Sequence, residues 1–507
     1  MRYILGIDLG TTAVKAALFD ENGAINGSKT IEYQLSTPSP QFVELDADVY
    51  RRAFADAVRG ALEKSGCPPK DIVSLAVSAQ GETLFFLDEN GNNLRPAIVW
   101  MDNRAGRQSD AIEAAFTNPV IHRRTGQVSA SAAWPSSKIL WVRENQPEVF
   151  GKTDKFLLIE DYFIYLLTGR MVSEGSLLCS TLYWDIETHD YWDDMLQFLG
   201  IRRDQLPDIL EPGAKVGALT DAAALEFGLA PGMTVALGAL DQACGAIGVG
   251  NVRPGVFSES TGAALATVAM SDRLALDPNR EMPCFYSGIP GMYMIHSFST
   301  GGMAVRWYRD NFCPEELLTE KNGGKPAYQL MDELASAIPP GSDGLVVLPH
   351  LQGSGAPDTV QNATGVFMGV GLMHTQAHFI RALLEGVTNV LRRMLDATVA
   401  MGVTVTEIRS LSGGAKSRLW CQMKADATGI PVKTMQNTEN AACLGAAILA
   451  GVAAGVWPSV QDAADRFCVP DKIYEPDPAH KPAYDALLLK YRRLFDDLKE
   501  TFASFSG

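Results

Sequence analysis

The chain has 507 residues, of which 47% are hydrophobic and 20% charged; at about 150 residues per domain it holds roughly three domains, and two large ones fit equally well. Lysine and arginine number 43 against 59 aspartate and glutamate, a formal net charge of −16, which argues against a partner such as nucleic acid or an anionic membrane that is held by clustered positive charge. Anions such as ATP stay accessible to such a chain through local backbone donors and metal ions. In chain order, the first 90 residues or so read as strand-rich with one helix. The runs 3–9 (YILGIDL) and 13–20 (AVKAALFD) flank a short turn. Asp20-Glu21-Asn22-Gly23 follows and recurs as Asp88-Glu89-Asn90-Gly91, each Asn-Gly supplying the positive φ of a tight hairpin. Between them, residues 46–64 carry Val49, Ala53, Phe54, Ala57, Val58, Ala61 and Leu62 at helical spacing, opened by Asp46 and closed by Gly66-Cys67-Pro68-Pro69. The pattern predicts a mixed sheet packed by helices.

Residues 105–230 read mainly as helices with Trp-rich loops, and a second α/β pattern starts near Val235. Residues 256–269 (VFSESTGAALATVA) repeat the character of residues 4–19, two β runs about a small-residue turn, which reads as an internal duplication. A strand at 407–411 runs into Ser412-Gly413-Gly414, followed by a helix at about 416–428, a strand at 431–434 and a helix at 440–454. The run 441–460 has no charge and is long enough on paper to span a bilayer, but its Ala and Gly content and Pro458 fit a buried helix and its exit loop better. The eight cysteines show no CxxC pair, unlike a disulfide framework or zinc site. The apolar start ends at Asp8, too early for a signal-peptide core. The expectation is a soluble cytoplasmic protein.

Three groups of residues point to chemistry. Asp8-Leu9-Gly10-Thr11-Thr12, with Lys15, sets a carboxylate at a strand end before a turn of backbone donors and hydroxyls, a cradle for phosphate. Asp8 is the candidate ligand for Mg²⁺ beside it. A plain hairpin turn is the competing reading. The turn Ser258-Glu259-Ser260-Thr261-Gly262 repeats the design, so Thr11 and Thr261 are expected to clamp one phosphate site from two duplicated halves. Asp241 is a lone charge in the run 234–252, where a strand becomes a helix; capping that helix is its bland role.

Taken together, DLGTT, the second phosphate turn and the later strand-Gly-Gly-helix resemble the ATPase group of sugar kinases, Hsp70 and actin. Residues 133–145 resemble the first signature of the FGGY family of carbohydrate kinases apart from Ala133. Residues 365–385 resemble the second apart from Leu383. The resemblance implies an α/β fold of two actin-like (ribonuclease H-like) ATPase domains around a deep interdomain cleft, with sugar binding in 1–250 and ATP binding in 251–507. It implies Asp241 as catalytic base and, with Asp8, as a Mg²⁺ ligand. A sugar hydroxyl is a poor nucleophile until a carboxylate within reach accepts its proton.

The same resemblance places the sugar at Gln80, Glu82, Trp100, Asp102, Arg104, Asp241 and Gln242. Gln80 matches the xylulokinase branch, where Gly81 and Glu82 replace a Met-His pair; Glu82 and Thr83 look instead like the glycerol kinases. Trp100-Met101-Asp102-Asn103-Arg104 matches the family's W-x-D-x-R pattern, although core packing is the commoner fate of a tryptophan. For ATP it implies Gly10, Thr11, Thr12, Lys15, Thr261, Gly262, Gly302, Arg306, Gly413, Gly414 and Ser417, the glycines permitting close backbone approach ahead of helix starts. The expected reaction is ATP-dependent phosphorylation of a primary hydroxyl of a ketose, D-xylulose first, giving D-xylulose 5-phosphate. Glycerol, erythritol or another ketose is the alternative within enzymes, and an actin-like ATPase or a sugar sensor the alternative outside them. ATP and Mg²⁺ are the expected cofactors and a small sugar or polyol the partner, without nucleic acid or membrane; a homodimer is compatible. Three look-alikes carry nothing. Gly151-Lys152-Thr153 lacks the first glycine of a P-loop, Gly245 to Gly250 has reversed dinucleotide spacing, and His374 and His378 lack the glutamate of HExxH.

Overall fold

The computed structural model describes residues 2–504. They form two compact units, one of residues 1–253, 270–294 and 439–469, the other of residues 254–269, 295–438 and 470–507 as far as described. In the first, β1 (Tyr3–Leu9), β2 (Ala13–Asp20), β3 (Ile25–Glu32), β4 (Ile72–Ala79), β5 (Lys215–Ala218) and β6 (Thr234–Ala236) make one sheet in the order β5-β6-β4-β1-β2-β3; a short strand, β7 (Ala239–Leu240), also pairs β4. β2 runs antiparallel to β1, whereas β4 runs parallel to it, and β6 and β7 run parallel to β4. The helix Ala47–Ser65 turns Tyr50, Phe54, Ala57, Val58 and Ala61 inward and ends where Gly66 takes φ 64°, as its spacing predicts.

The second unit repeats this plan. β8 (Gly255–Thr261), β9 (Ala264–Ser271), β10 (Tyr293–Thr300), β11 (Val405–Leu411), β12 (Val432–Met435) and β13 (Pro470–Tyr474) follow the order β10-β9-β8-β11-β12-β13. β8 pairs β9 antiparallel and β11 parallel, β12 runs parallel to β11, and an antiparallel strand, β13, closes the edge. The duplication extends to register: Asp8 lies opposite Ser78, and Glu259 lies opposite Ser410.

A division at 250/251 describes the order of the chain but not the folded units, because residues 270–294 and 439–469 belong with the first. The cause is the helix Ala441–Ala453, whose apolar residues Cys443 to Gly451 are buried. Its small residues let backbones touch: a Cβ on Gly445 would stand 1.9 Å from the Cys244 carbonyl oxygen, and one on Gly6 of β1 the same distance from the Cys443 carbonyl oxygen. Burial against the first sheet explains the uncharged run. Among the described residues no helix is long and apolar enough to cross a membrane.

Candidate active site

The first unit gathers its carboxylates at the ends of parallel strands, where loops open and ligands of α/β folds settle. Asp8 is the penultimate residue of β1, Ser78 stands opposite it on β4, and Ala239 of β7 lies opposite Ser78, so Asp241 emerges two residues later as the first residue of the helix Asp241–Ile247. The Ser78 hydroxyl donates to Asp8 Oδ1 at 3.2 Å. Burial raises the Asp8 carboxyl to about 6 against the pull of Ser78 and of Lys15, its cross-strand partner. Asp241 is pushed further, to about 7, first by burial and then by the negative charges of Asp8 and Glu82, while hydrogen bonding with Gln242 opposes the shift. A carboxyl poised near neutrality beside a second carboxyl suits both proton acceptance and a cation.

Around this pair the predicted sugar residues take different roles. Gln80 is buried; its backbone N–H donates to the Leu9 carbonyl at 2.9 Å and its Nε2 to the Tyr50 hydroxyl at 3.2 Å, while Oε1 has no protein partner. Glu82 sits at φ 54°, a backbone state unusual for a non-glycine residue, with its carboxyl raised by burial against the Ser180 hydroxyl and the Lys138 ammonium. Trp100 donates from Nε1 to the Thr11 hydroxyl at 2.8 Å, and its backbone N–H reaches the Thr83 hydroxyl at 3.2 Å, tying the aromatic loop to the turn between β1 and β2.

Asp102 and Arg104, expected to touch a sugar, are instead turned on each other. The guanidinium donates to both Asp102 oxygens at 2.7–3.0 Å and to Glu44 at 2.7 Å, the second Asp102 oxygen also accepts from the Val43 N–H at 2.6 Å, and the two side chains are 1% and 0% exposed. The Arg104 guanidinium also lies over the Phe42 ring at 3.9 Å. Held in this way, they brace the loop that carries Trp100. The turn itself closes by the Gly10 N–H donating to the Ala13 carbonyl at 3.0 Å. The Tyr33 hydroxyl caps the Gly10 carbonyl, the Thr12 carbonyl accepts from the Tyr33 N–H at 2.9 Å, and Lys15 Nζ donates to the Glu439 carbonyl at 2.6 Å.

In the second unit three predicted segments converge on one turn. The Gly302 N–H donates to the Gly262 carbonyl at 2.9 Å, and there a Cβ on Gly302 would stand 2.4 Å from that same oxygen. A Cβ on Gly414 would lie 2.6 Å from Thr261 Cβ, while Gly413 is exposed beside it. Thr261 itself points inward, its hydroxyl donating to Glu259 at 2.6 Å and accepting from Lys424 Nζ at 3.1 Å, so its side chain supports the turn. Ser417 caps the helix Arg418–Thr428 by accepting the Trp420 N–H at 3.0 Å. Arg306 is exposed one turn into the helix Gly302–Phe312 and faces Asp310 at 3.7 Å.

Two family models match the chain: the N-terminal domain of the FGGY family of carbohydrate kinases over residues 3–248, and its C-terminal domain over residues 267–454. The chain belongs to the FGGY family of carbohydrate kinases. This FGGY kinase is 29% identical to the xylulose kinase of Bacillus subtilis (strain 168) over 501 residues, 99% of this chain and 98% of the relative. It is 30% identical to the gluconokinase of the same organism over 92% of this chain and 90% of the relative. Among solved structures, ligand-bound xylulose kinase and gluconate kinase from Lactobacillus acidophilus each superimpose with a TM-score of 0.91 at 26% identity, over the full length of both chains. The protein is thus a phosphotransferase with an alcohol group as acceptor, and kinases of this family draw on ATP.

Sequence reasoning missed the charges beneath the site. Lys138 is fully buried in the helix Pro135–Asn145 and donates to the carbonyls of Glu82 at 3.1 Å and Val99 at 3.0 Å, bolting together the loops that carry Glu82 and Trp100. Its place inside a signature stretch was the available signal. Glu259 and Lys424 form a buried ion pair at 2.5 Å, 0% and 1% exposed, to which Ser410 also donates. Among the described residues no three His, Cys, Asp or Glu side chains cluster as a self-sufficient metal cage. Asp8 and Asp241 nevertheless fit Mg²⁺, which takes one or two carboxylates and completes its shell with water and substrate phosphates; their mutual repulsion is what a cation would relieve.

Proposed function

We propose that this FGGY kinase transfers the terminal phosphoryl group of ATP to the primary hydroxyl of a ketose, converting D-xylulose to D-xylulose 5-phosphate, with Asp241 as general base. The observation that carries the reading is Asp241 itself, at a strand-to-helix junction beside Asp8 with its carboxyl raised to about 7, where it is ionised in part at neutral pH and ready to accept a proton. The ketose hydroxyl loses its proton to Asp241 as it attacks phosphorus. Asp8, with Asp241, would hold Mg²⁺, which when bound neutralises charge on the phosphate oxygens. Gln80 Oε1, an acceptor without a protein partner, supports a neighbouring sugar hydroxyl as donor. The glycine turns at 262, 301–302 and 413–414 supply backbone for the nucleotide.

D-xylulose is put first because the relatives named xylulose kinase align over 98–99% of both chains; D-gluconate is the competing acceptor, since a gluconate kinase structure matches over the full length of both chains as well. A coupled ADP-release assay with MgATP and a panel of D-xylulose, D-ribulose, D-gluconate, glycerol and erythritol tests this. D-xylulose is expected to give the highest kcat/KM. A higher value for D-gluconate or a polyol replaces the substrate and leaves the kinase assignment standing.

A further inference from the structure

The strand that delivers Asp241 is held from behind by acids that the reaction does not use. Glu160 starts the second position of the helix Ile159–Thr168 and is 1% exposed; Glu174, at the N-cap of the helix Gly175–Leu178, is 0% exposed. Glu160 Oε1 accepts the Gly238 N–H at 2.7 Å. The Ser176 hydroxyl accepts the Leu240 N–H at 2.9 Å and itself donates to Glu174 at 2.6 Å. Glu174 is fixed in turn by the N–H groups of Ser176 and Leu177 at 2.6 and 2.7 Å. On the opposite side β7 pairs with β4, Ala239 against Ser78, and a Cβ on Gly238 would stand 1.9 Å from the Val77 carbonyl oxygen. Gly238 and Leu240 are therefore clamped between β4 on one side and the Glu160 carboxyl and Ser176 hydroxyl on the other, and Asp241 is the next residue.

We infer that Glu160 and the Glu174–Ser176 pair are positioning residues of this kinase: through the Gly238 and Leu240 amides they fix where the Asp241 carboxylate stands relative to Asp8. The inference rests on the reading of Asp241 as the base. Burying two acids side by side is costly unless they accept hydrogen bonds and share protons, and burial together with the repulsion between neighbouring acids raises both carboxyls. A protonated Glu160 still offers Oε1 to Gly238, while its Oε2 has no protein partner. The work is done by one acceptor oxygen, not by charge, so glutamine at 160 should serve as well as glutamate and methionine should not. The precision matters because an attacking hydroxyl, its proton acceptor and the phosphorus must line up within a fraction of an ångström, and a displacement of about 1 Å costs on the order of 100-fold.

The test compares Glu160→Met, Glu160→Gln and Ser176→Ala in the full chain, with Asp241→Asn as control. Steady-state turnover uses MgATP and the best acceptor of the panel above, and hydrogen exchange is followed over residues 237–241. Glu160→Met and Ser176→Ala are expected to lose about tenfold or more in kcat with the KM for MgATP within about twofold, while Glu160→Gln keeps at least about half of the parent kcat. Exchange at Gly238 should rise in Glu160→Met, at Leu240 in Ser176→Ala, and at neither in Glu160→Gln. Should Glu160→Met fail to fold, Ser176→Ala decides alone. Folded Glu160→Met and Ser176→Ala proteins with kcat within about twofold of the parent overturn the inference, as does a Glu160→Gln protein as impaired as Glu160→Met. Should no acceptor turn over, the exchange pattern decides. An active Asp241→Asn protein overturns the base assignment instead, a result separable from all of these.

Discussion

If Asp241 is the base, as proposed, its carboxyl raised to about 7 makes activity climb with pH where an ordinary carboxylate would leave it flat. The proton acceptor must be ionised, so the sign is an acid limb: turnover is lost as pH falls through the folded value. With a value of about 7, the ionised fraction of Asp241 is about 9% at pH 6 and about 91% at pH 8, a rise of about tenfold in kcat/KM. A carboxylate at its ordinary 3.8 would be more than about 99% ionised at pH 6 and give no rise at all. The measurement is kcat/KM between pH 5.5 and 8.5 with sugar and MgATP both held well below saturation, so that the profile reports the free enzyme, and with circular dichroism verifying the fold at each pH. Asp8 and Glu82 are the two charges that raise Asp241 after burial itself, so Glu82→Gln should move the limb to lower pH without carrying it to 3.8. A profile flat from pH 5.5 upward, or a limb unmoved by Glu82→Gln, refutes the electrostatic account of the site.

Asp241→Asn should keep the fold and lose about 10²–10⁴-fold in kcat, as read in the coupled assay. Glu82→Gln should weaken sugar binding by about 1–3 kcal/mol, seen as a raised sugar KM with the KM for MgATP unchanged. Lys424→Met leaves Glu259 buried and unpaired and should cost about 3–5 kcal/mol in denaturant unfolding, with Lys424→Met/Glu259→Gln recovering part of it. Gly445→Ala places a methyl 1.9 Å from the Cys244 carbonyl oxygen and should lower the thermal midpoint by the equivalent of about 1–3 kcal/mol or more.

The turns were legible because their constraints are local. Asp8 to Thr12 and Ser258 to Gly262 place a carboxylate and small hydroxyl residues within a few positions, and the sheets on either side follow from short β runs. The burial of residues 441–453 followed from composition. Asp241 stood out as one charge in an apolar stretch. The buried chemistry was not legible, because it depends on pairings distant in sequence: Lys424 meets Glu259 across 165 positions and Glu160 meets Gly238 across 78. Asp102 and Arg104 show the opposite limit. Their spacing suggested a ligand site, but at two residues apart they are as well placed to bond each other, and in the buried loop they do so.

The helix Ala441–Ala453 packs on strands that begin at residue 3, and this has a consequence for how the chain is made. A ribosome completes all of β1 to β7 some 200 residues before it supplies the helix that covers them, so the nascent first sheet must wait with an apolar face uncovered. Closing so long a loop costs entropy that grows only logarithmically with its length, but contacts this distant slow folding and prolong the exposure of aggregation-prone surface. Expression of residues 1–253 alone should therefore give an aggregating fragment, and co-expression of 254–507 should rescue it. The last stretch of the first unit is a late clasp, and a chain cut short before it leaves neither half finished.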